Sequence, residues 1–181
     1  MVKTLKRKLR NEHHKISQKH NLCKSKKIKF HKKAIAVLAH NKNNITGIVQ
    51  FIQKKKLEIH YEIYGLTDEE HGFHIHEYGD LTDECNSACA HFNPFHKTHG
   101  GLHGKNRHAG DLGNIISKNK VSKGVIQTNS LSLHYNKKCI IGRMIIIHED
   151  KDDLGKGNNE ESLKTGNAGK RLACGVIGIQ F

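Results

Sequence analysis

The apolar positions of this chain alternate; they do not recur every three or four residues. In KLEIHYEIY (56–64), Leu57, Ile59, Tyr61 and Ile63 fall on one side of an extended chain, and Glu58, His60 and Glu62 on the other. Successive strand side chains point to opposite faces, so this pattern predicts a half-buried antiparallel strand with one wet face. KAIAVLAH (33–40) and NITGIVQFIQ (44–53) read as strands from their apolar and β-branched content. Further strands are expected in the segment opening at His71, in VSKGVIQTNSLSLHYN through Leu131 and Leu133, in CIIGRMIIIHED (139–150) and in the terminal LACGVIGIQF (172–181). No segment sustains a helical period. Seven or eight short strands predict an all-β sandwich or barrel. The single proline, Pro94, sits in a loop, so nothing bars the strands from central pairing.

Two long stretches interrupt the strands, 79–111 and 149–171. The second is rich in glycine and in charges of both signs, and precedes the last strand. Such loops carry function more often than cores do. The first is joined to a strand, GFHIHEYGD, in which Phe73 and Ile75 point one way and His74 and His76 the other. Two imidazoles on one face of a stiff strand are a preformed half of a metal site. His91, His99, His108 and Asp111 follow on the loop, and His148 stands at a strand end, so seven candidate ligands accumulate. A loop of this length with little apolar content needs something besides a core to order it. Seven ligands are too many for one tetrahedral ion and suit two adjacent metals.

Charge divides the chain. Residues 1–33 hold 13 of the 31 Lys and Arg against a single acid, Glu12, and so carry +12 of the formal +14. The basic character belongs to an appendage, and the expected division is a disordered tail over 1–32 and a near-neutral domain over 33–181. Three readings of the tail compete: contact with nucleic acid or another polyanion, an import-like signal, and a solvated tail without a partner. No apolar window is long enough to span a bilayer, and the N-terminus lacks the apolar run of a secretory signal. The expected setting is therefore intracellular: the cytoplasm, or for a viral protein the host cytoplasm or the virion. Five cysteines without a CxxC are too few for a disulfide scaffold or a thiolate zinc site, which leaves room for one specific bridge.

With these residues in place, GFHIHEYGD, HFNPFHKTHGG, RHAGDLGN and GNAGKRLACGVIGI resemble the Cu/Zn superoxide dismutase family over 33–180. The resemblance implies an eight-stranded Greek-key β-barrel, a flattened sandwich, with the two long loops building the site. It implies copper on His74, His76, His91 and His148, and zinc on His91, His99, His108 and Asp111, with His91 bridging. Asp152 would link His74 to His99 from outside the ligand set. Arg171 would dock the anion, and Glu160, Glu161 and Lys164 would belong to the electrostatic loop. Asp150 stands where many relatives place a steering lysine. Cys85 and Cys174 would form the family's disulfide. The implied reaction is ping-pong dismutation of superoxide to O2 and hydrogen peroxide. The implied partners are a second copy of the chain in a homodimer and a copper chaperone. A non-catalytic relative tends to lose copper ligands or the arginine, and here all of them stand. The rival reading, a polyanion-binding protein with this domain as scaffold, calls for steeply salt-dependent binding.

Overall fold

A computed structural model describes residues 31–39 and 41–181 of the chain. The basic tail expected over 1–32 falls almost wholly outside them. Among the described residues there are nine strands: β1 (Lys33–Leu38), β2 (Thr46–Gln53), β3 (Leu57–Tyr64), β4 (Glu70–His76), β5 (Asp111–Ile116), β6 (Val121–Thr128), β7 (Met144–His148), β8 (Arg171–Val176) and the two-residue β9 (Gly178–Ile179). They form a five-stranded sheet in the order β6-β3-β2-β1-β9 and a four-stranded sheet in the order β5-β4-β7-β8. Every pairing between these strands is antiparallel. The chain crosses between sheets after β3, β5, β6 and β8, which is the Greek-key logic of the expected flattened barrel. Ladder hydrogen bonds keep the two sheets separate and do not close a cylinder.

The alternation of 56–64 holds. Leu57, Ile59 and Ile63 are fully buried, and Tyr61 packs at the core's edge with its ring 5.5 Å from that of Phe73. Between the sheets these side chains meet Phe51, Phe73, Ile75, Ile115, Ile145 and Ile147. Burying a large aliphatic or aromatic side chain stabilises a fold by roughly 1.5–3 kcal/mol, so this inner layer sets the register of β4 and β7. Among the described residues no helix is long and apolar enough to cross a membrane.

Three local expectations are corrected. Leu131 and Leu133 alternate with serines, yet they belong to no strand: Leu131, Ser132 and Leu133 are all buried in a loop that Gln53 Oε1 and Lys138 O anchor by accepting from Leu133 N and Ser132 N. Residues 139–143 likewise lie outside the strands, with Cys139 making only an isolated bridge to Ser132, and the strand starts at Met144. The terminal 172–181 is not one strand, because β8 pairs with β7 while β9 turns across to pair with β1. A further strand, Asp111–Ile116, starts on a metal-ligand candidate, where the polar end of the first long loop hides its apolar positions Leu112, Ile115 and Ile116. The second long loop also holds a single helical turn, α1 (Ser162–Thr165), with Ser162 buried.

Candidate metal centre

The inward positions of β4, Phe73 and Ile75, belong to the core, so His74 and His76 project from the outer face of the four-stranded sheet. Opposite them on β7 stand Ile146 and Met144, and His148 continues that face at the strand's end, where a register shift against β8 follows Ile147. Such irregularities re-aim side chains beside sites. An outer face is normally wet. Here all three imidazoles are buried, because the two long loops lie over them. Gly72 makes the space: a Cβ there would stand 2.8 Å from Ala168 Cβ and 3.1 Å from His74 Cε1.

The first loop enters by strand-like contacts. His91 bridges to His76, Phe92 N donates to Ile75 O at 2.8 Å, and Glu77 N to Ala90 O at 2.9 Å. His91 therefore arrives with its ring centroid 4.2 Å from that of His74. Two groups of donors result, His74, His76, His91 and His148 in one, His91, His99, His108 and Asp111 in the other, with candidate ligand atoms within 4.8 Å of one another in each. His91 belongs to both. In the second group Asp111 Oδ1 lies 2.9 Å from His91 Nδ1, 3.1 Å from His99 Nδ1 and 3.2 Å from His108 Nδ1.

Hydrogen bonds fix which nitrogen of each ring remains available. His76 Nδ1 donates to Cys89 O at 2.8 Å, His148 Nδ1 to Gly169 O at 3.3 Å, and His74 Nε2 to Asp152 Oδ2 at 2.9 Å. The other nitrogens of His76 and His148 are left 3.2 Å apart. His74 Nδ1, His91 Nε2 and His99 Nδ1 are buried without a hydrogen-bond partner. Orphaned buried nitrogens are costly and rare. Gathered at two points on imidazole and carboxylate donors, they fit metal ions: imidazole suits copper and zinc, and a three-imidazole set completed by carboxylate suits zinc.

Asp152, fully buried, connects the groups. Its other oxygen accepts from His99 Nε2 at 2.7 Å and from Leu154 N at 2.7 Å, while Asn114 holds its backbone through two hydrogen bonds. Gly166 permits this approach. It has φ of 70°, and a Cβ there would overlap Asp152 Oδ1 and His99 Nε2.

The two groups differ in charge preference. Burial, aided by the His74 ring, pushes the His91 imidazole down to about 3 although Asp111 pulls the other way. Burial and the surrounding imidazoles also hold His76 and His148 well below their ordinary range. These rings are neutral near pH 7, with lone pairs free for a cation. His99 goes up to about 9, because the carboxylates of Asp111 and Asp152 beside its two nitrogens outweigh its burial. Both carboxyls are held well below the usual carboxylate range, as hydrogen bonds from the histidines overcome burial. Cation binding at the second group therefore displaces a proton.

A cavity of about 680 Å³ opens over the first group, bordered by His76, His91, His148, Cys89, Glu161, Lys164, Asn167 and Arg171. The Arg171 guanidinium is held at its edge by Cys85 O (2.6 Å), Asn86 O (2.9 Å) and Cys89 O (2.5 Å). The segment presenting these carbonyls is fastened to β8 by a Cys85–Cys174 disulfide. In the helical-turn loop Lys164 pairs with Glu160 at 3.3 Å, and Glu161 accepts from Thr165. Lys164 and Glu161 reach the cavity, while Glu160 stays on the exposed side.

Several contributors carried no sequence signal: the carbonyls of Cys89 and Gly169, Asn114, Gly72 and Gly166 act through backbone or space. Arg107 is another. It is buried and its Nη1 donates to His108 O (2.9 Å) and Asp111 O (2.8 Å), which orders the loop of the second group. His71, also buried, binds His148 O at 3.0 Å and Thr67, so it positions the end of β7.

Residues 45–177 match the family described as Copper/zinc superoxide dismutase (SODC). The chain is 51% identical over 150 residues to the protein named Superoxide dismutase [Cu-Zn] of Paramecium bursaria Chlorella virus 1, covering 81% of this chain and 79% of that one. It is 52% identical over 152 residues to the protein of the same name from Candida glabrata, covering 81% and 97%. Among solved structures, one described as the clock protein EA4 superposes with a TM-score of 0.82 at 43% identity, covering 86% of this chain and 99% of that one. A family match over most of the chain, with relatives near half identity, agrees with the site's geometry, and the chain belongs to the copper/zinc superoxide dismutase family.

Proposed function

We propose that the chain converts superoxide to O2 and hydrogen peroxide, with copper held by His74, His76, His91 and His148 and zinc by His91, His99, His108 and Asp111. The observation that carries this reading is His91, which stands in both donor groups with Nδ1 beside Asp111 and Nε2 buried without a partner. When bound, copper would supply a one-electron redox couple suited to alternate reduction and reoxidation by superoxide, while redox-inert zinc would fix the loop. The protein's own work is electrostatic and protonic. Arg171 docks the small anion at the cavity's edge, where a local positive field raises its concentration. His91 Nε2 takes up a proton in the first half-reaction and hands it to the peroxide formed in the second, the other proton coming from water. Asp152 keeps His74 and His99 in the tautomer that presents Nδ1 to a metal. Lys164, Glu160 and Glu161 shape the field at the entrance, and Asp150 makes the attraction weaker than a lysine there would.

His148→Ala tests the assignment, since that residue stands only in the copper group. Dismutase activity is expected to vanish while zinc, measured by elemental analysis, remains. Loss of zinc with it, or activity above that of free protein controls, would refute the division of ligands.

A homodimer belongs to the same reading. Tyr78, Ile179 and Phe181 are exposed large apolar residues, and Gly79 packs against Gly142 and Val176, which brings the turn after β4 beside the chain's end. An isologous dimer needs one such self-complementary patch. Sedimentation at micromolar concentration should give twice the 20.5 kDa of the chain, and a monomer there removes the proposal. Copper delivery by a chaperone and a cytoplasmic setting complete the reading. Residues 1–32 would hold the enzyme near a polyanion, and truncating them should leave the dismutase rate unchanged and weaken polyanion binding. A fall in rate on truncation at physiological salt would show that the tail serves catalysis.

A further inference from the structure

The loop carrying His99 and His108 borders a second cavity, of about 400 Å³, whose rim includes Phe95, Lys97, Lys105, Arg107, Ser130 and Lys138. Two chain segments meet there, and neither has a compensating acid. No Asp or Glu occurs from His91 to Gly110, nor from Val121 to His148. Lys97, Lys105, Lys137 and Lys138 take part in none of the ion pairs among the described residues. Several lysines elsewhere do have acidic partners, among them Lys42 with Glu84, Lys123 with Glu62 and Lys151 with Glu70. The lysines of the second cavity form an unneutralised positive surface on an otherwise near-neutral domain.

That surface is also built to hold its shape. Lys97 Nζ donates to Lys105 O at 2.7 Å, and Lys138 Nζ to Asn129 O at 2.9 Å, so two of the ammonium groups are fixed on the rim. The buried Arg107 ties the two segments together through Ser130 Oγ (2.7 Å) and Thr128 Oγ1 (3.3 Å). One aromatic ring outside the core stands on the rim itself, Phe95, 42% exposed; a second, Tyr135, 93% exposed, comes three residues before Lys138 in the chain. Fixed cations without acids would suit any polyanion. Fixed cations with exposed rings suit one whose units offer both phosphate and a flat π-face.

We infer that this face binds single-stranded nucleic acid, with phosphates on Lys97, Lys105 and Lys138 and a base stacked on Phe95. Stacking needs unpaired bases, so a duplex binds more weakly than a single strand. The inference rests neither on the dismutase reading nor on residues 1–32, and the site of contact separates it from the tail.

The test uses the full chain and a labelled oligothymidylate titrated at several salt concentrations, with photo-cross-links mapped by mass spectrometry. Cross-links are expected on the peptides containing Phe95 and Tyr135. Replacing Lys97, Lys105 and Lys138 together by Gln should lower the magnitude of the log K against log salt slope by about 2, at about 0.7 per phosphate contact on a single strand. Phe95→Ala should weaken binding roughly five- to a hundredfold while leaving that slope unchanged. Zinc content, unchanged in each variant, reports that the loop is folded. Cross-links confined to residues 1–33, or an unchanged slope in the triple variant, overturn the proposal. So does a sulfated polysaccharide that binds as tightly as the oligonucleotide and is indifferent to Phe95→Ala.

Discussion

Asp152→Ala is expected to weaken both metals together, by about 10- to 100-fold each, although Asp152 belongs to neither ligand group. The carboxylate is fully buried and accepts from His74 Nε2 on one oxygen and from His99 Nε2 on the other. Its removal leaves two buried N–H groups unpaired, at about 1–3 kcal/mol each, and frees both rings to turn or change tautomer. His74 would then offer the wrong nitrogen to copper and His99 to zinc. Chelator competition for each metal gives the affinities, and calorimetry of the metal-free variant gives the structural share. Asp152→Asn should recover only one of the two hydrogen bonds, because an amide has a single acceptor oxygen. Affinities within twofold of the unmodified protein would show that the loops alone orient the imidazoles.

Removal of the disulfide by Cys85→Ser together with Cys174→Ser should give the largest loss of stability. The two cysteines are 89 residues apart in sequence, and closing such a loop restricts the unfolded chain by about 4–5 kcal/mol in the chain-entropy model, an upper figure. Against the roughly 5–15 kcal/mol that holds a typical domain together, this is a large share. The bridge also has a local task. Cys85 O is one of the three carbonyls that grip Arg171, and Cys85 packs with Ala88, Met144 and Ile146 on the outer face of the sheet. Urea denaturation should show a lower midpoint, and the dismutase rate should fall at temperatures where the fold persists, because Arg171 loses its anchor. A midpoint within 1 M of the unmodified protein would put the disulfide's contribution at no more than about 1–3 kcal/mol, below the entropic figure, since a small protein's urea slope is about 1–3 kcal/mol per molar.

The donor residues were legible in the chain because their spacing is local physics. His74 and His76 share a face wherever β4 is extended, and Phe73 and Ile75 decide which face that is. The alternation in 56–64 fixed a strand for the same reason. The pattern failed at Leu131 and Leu133, which alternate with serines and yet are both buried in a loop. A loop folded onto a core can bury consecutive residues, and nothing in a period of two distinguishes that from a strand with one face covered. It failed again at the chain's end, where one apolar run serves two sheets.

The sequence by itself determined the inner layer of the sandwich and the seven candidate donors and, through resemblance, pointed to the cysteine pair and to the proposed division of those donors between two metals. Only the tertiary structure decided how those donors are aimed. The ring nitrogens are selected by Cys89 O, Gly169 O and Asp152, which lie 13, 21 and 78 residues from their partners. Backbone carbonyls leave no mark in a sequence, and the spaces at Gly72 and Gly166 show only once their neighbours are in place. The lysines around the second cavity follow the same rule: their charges can be read along the chain, but their convergence depends on Arg107 joining two segments that the sequence keeps more than 20 residues apart.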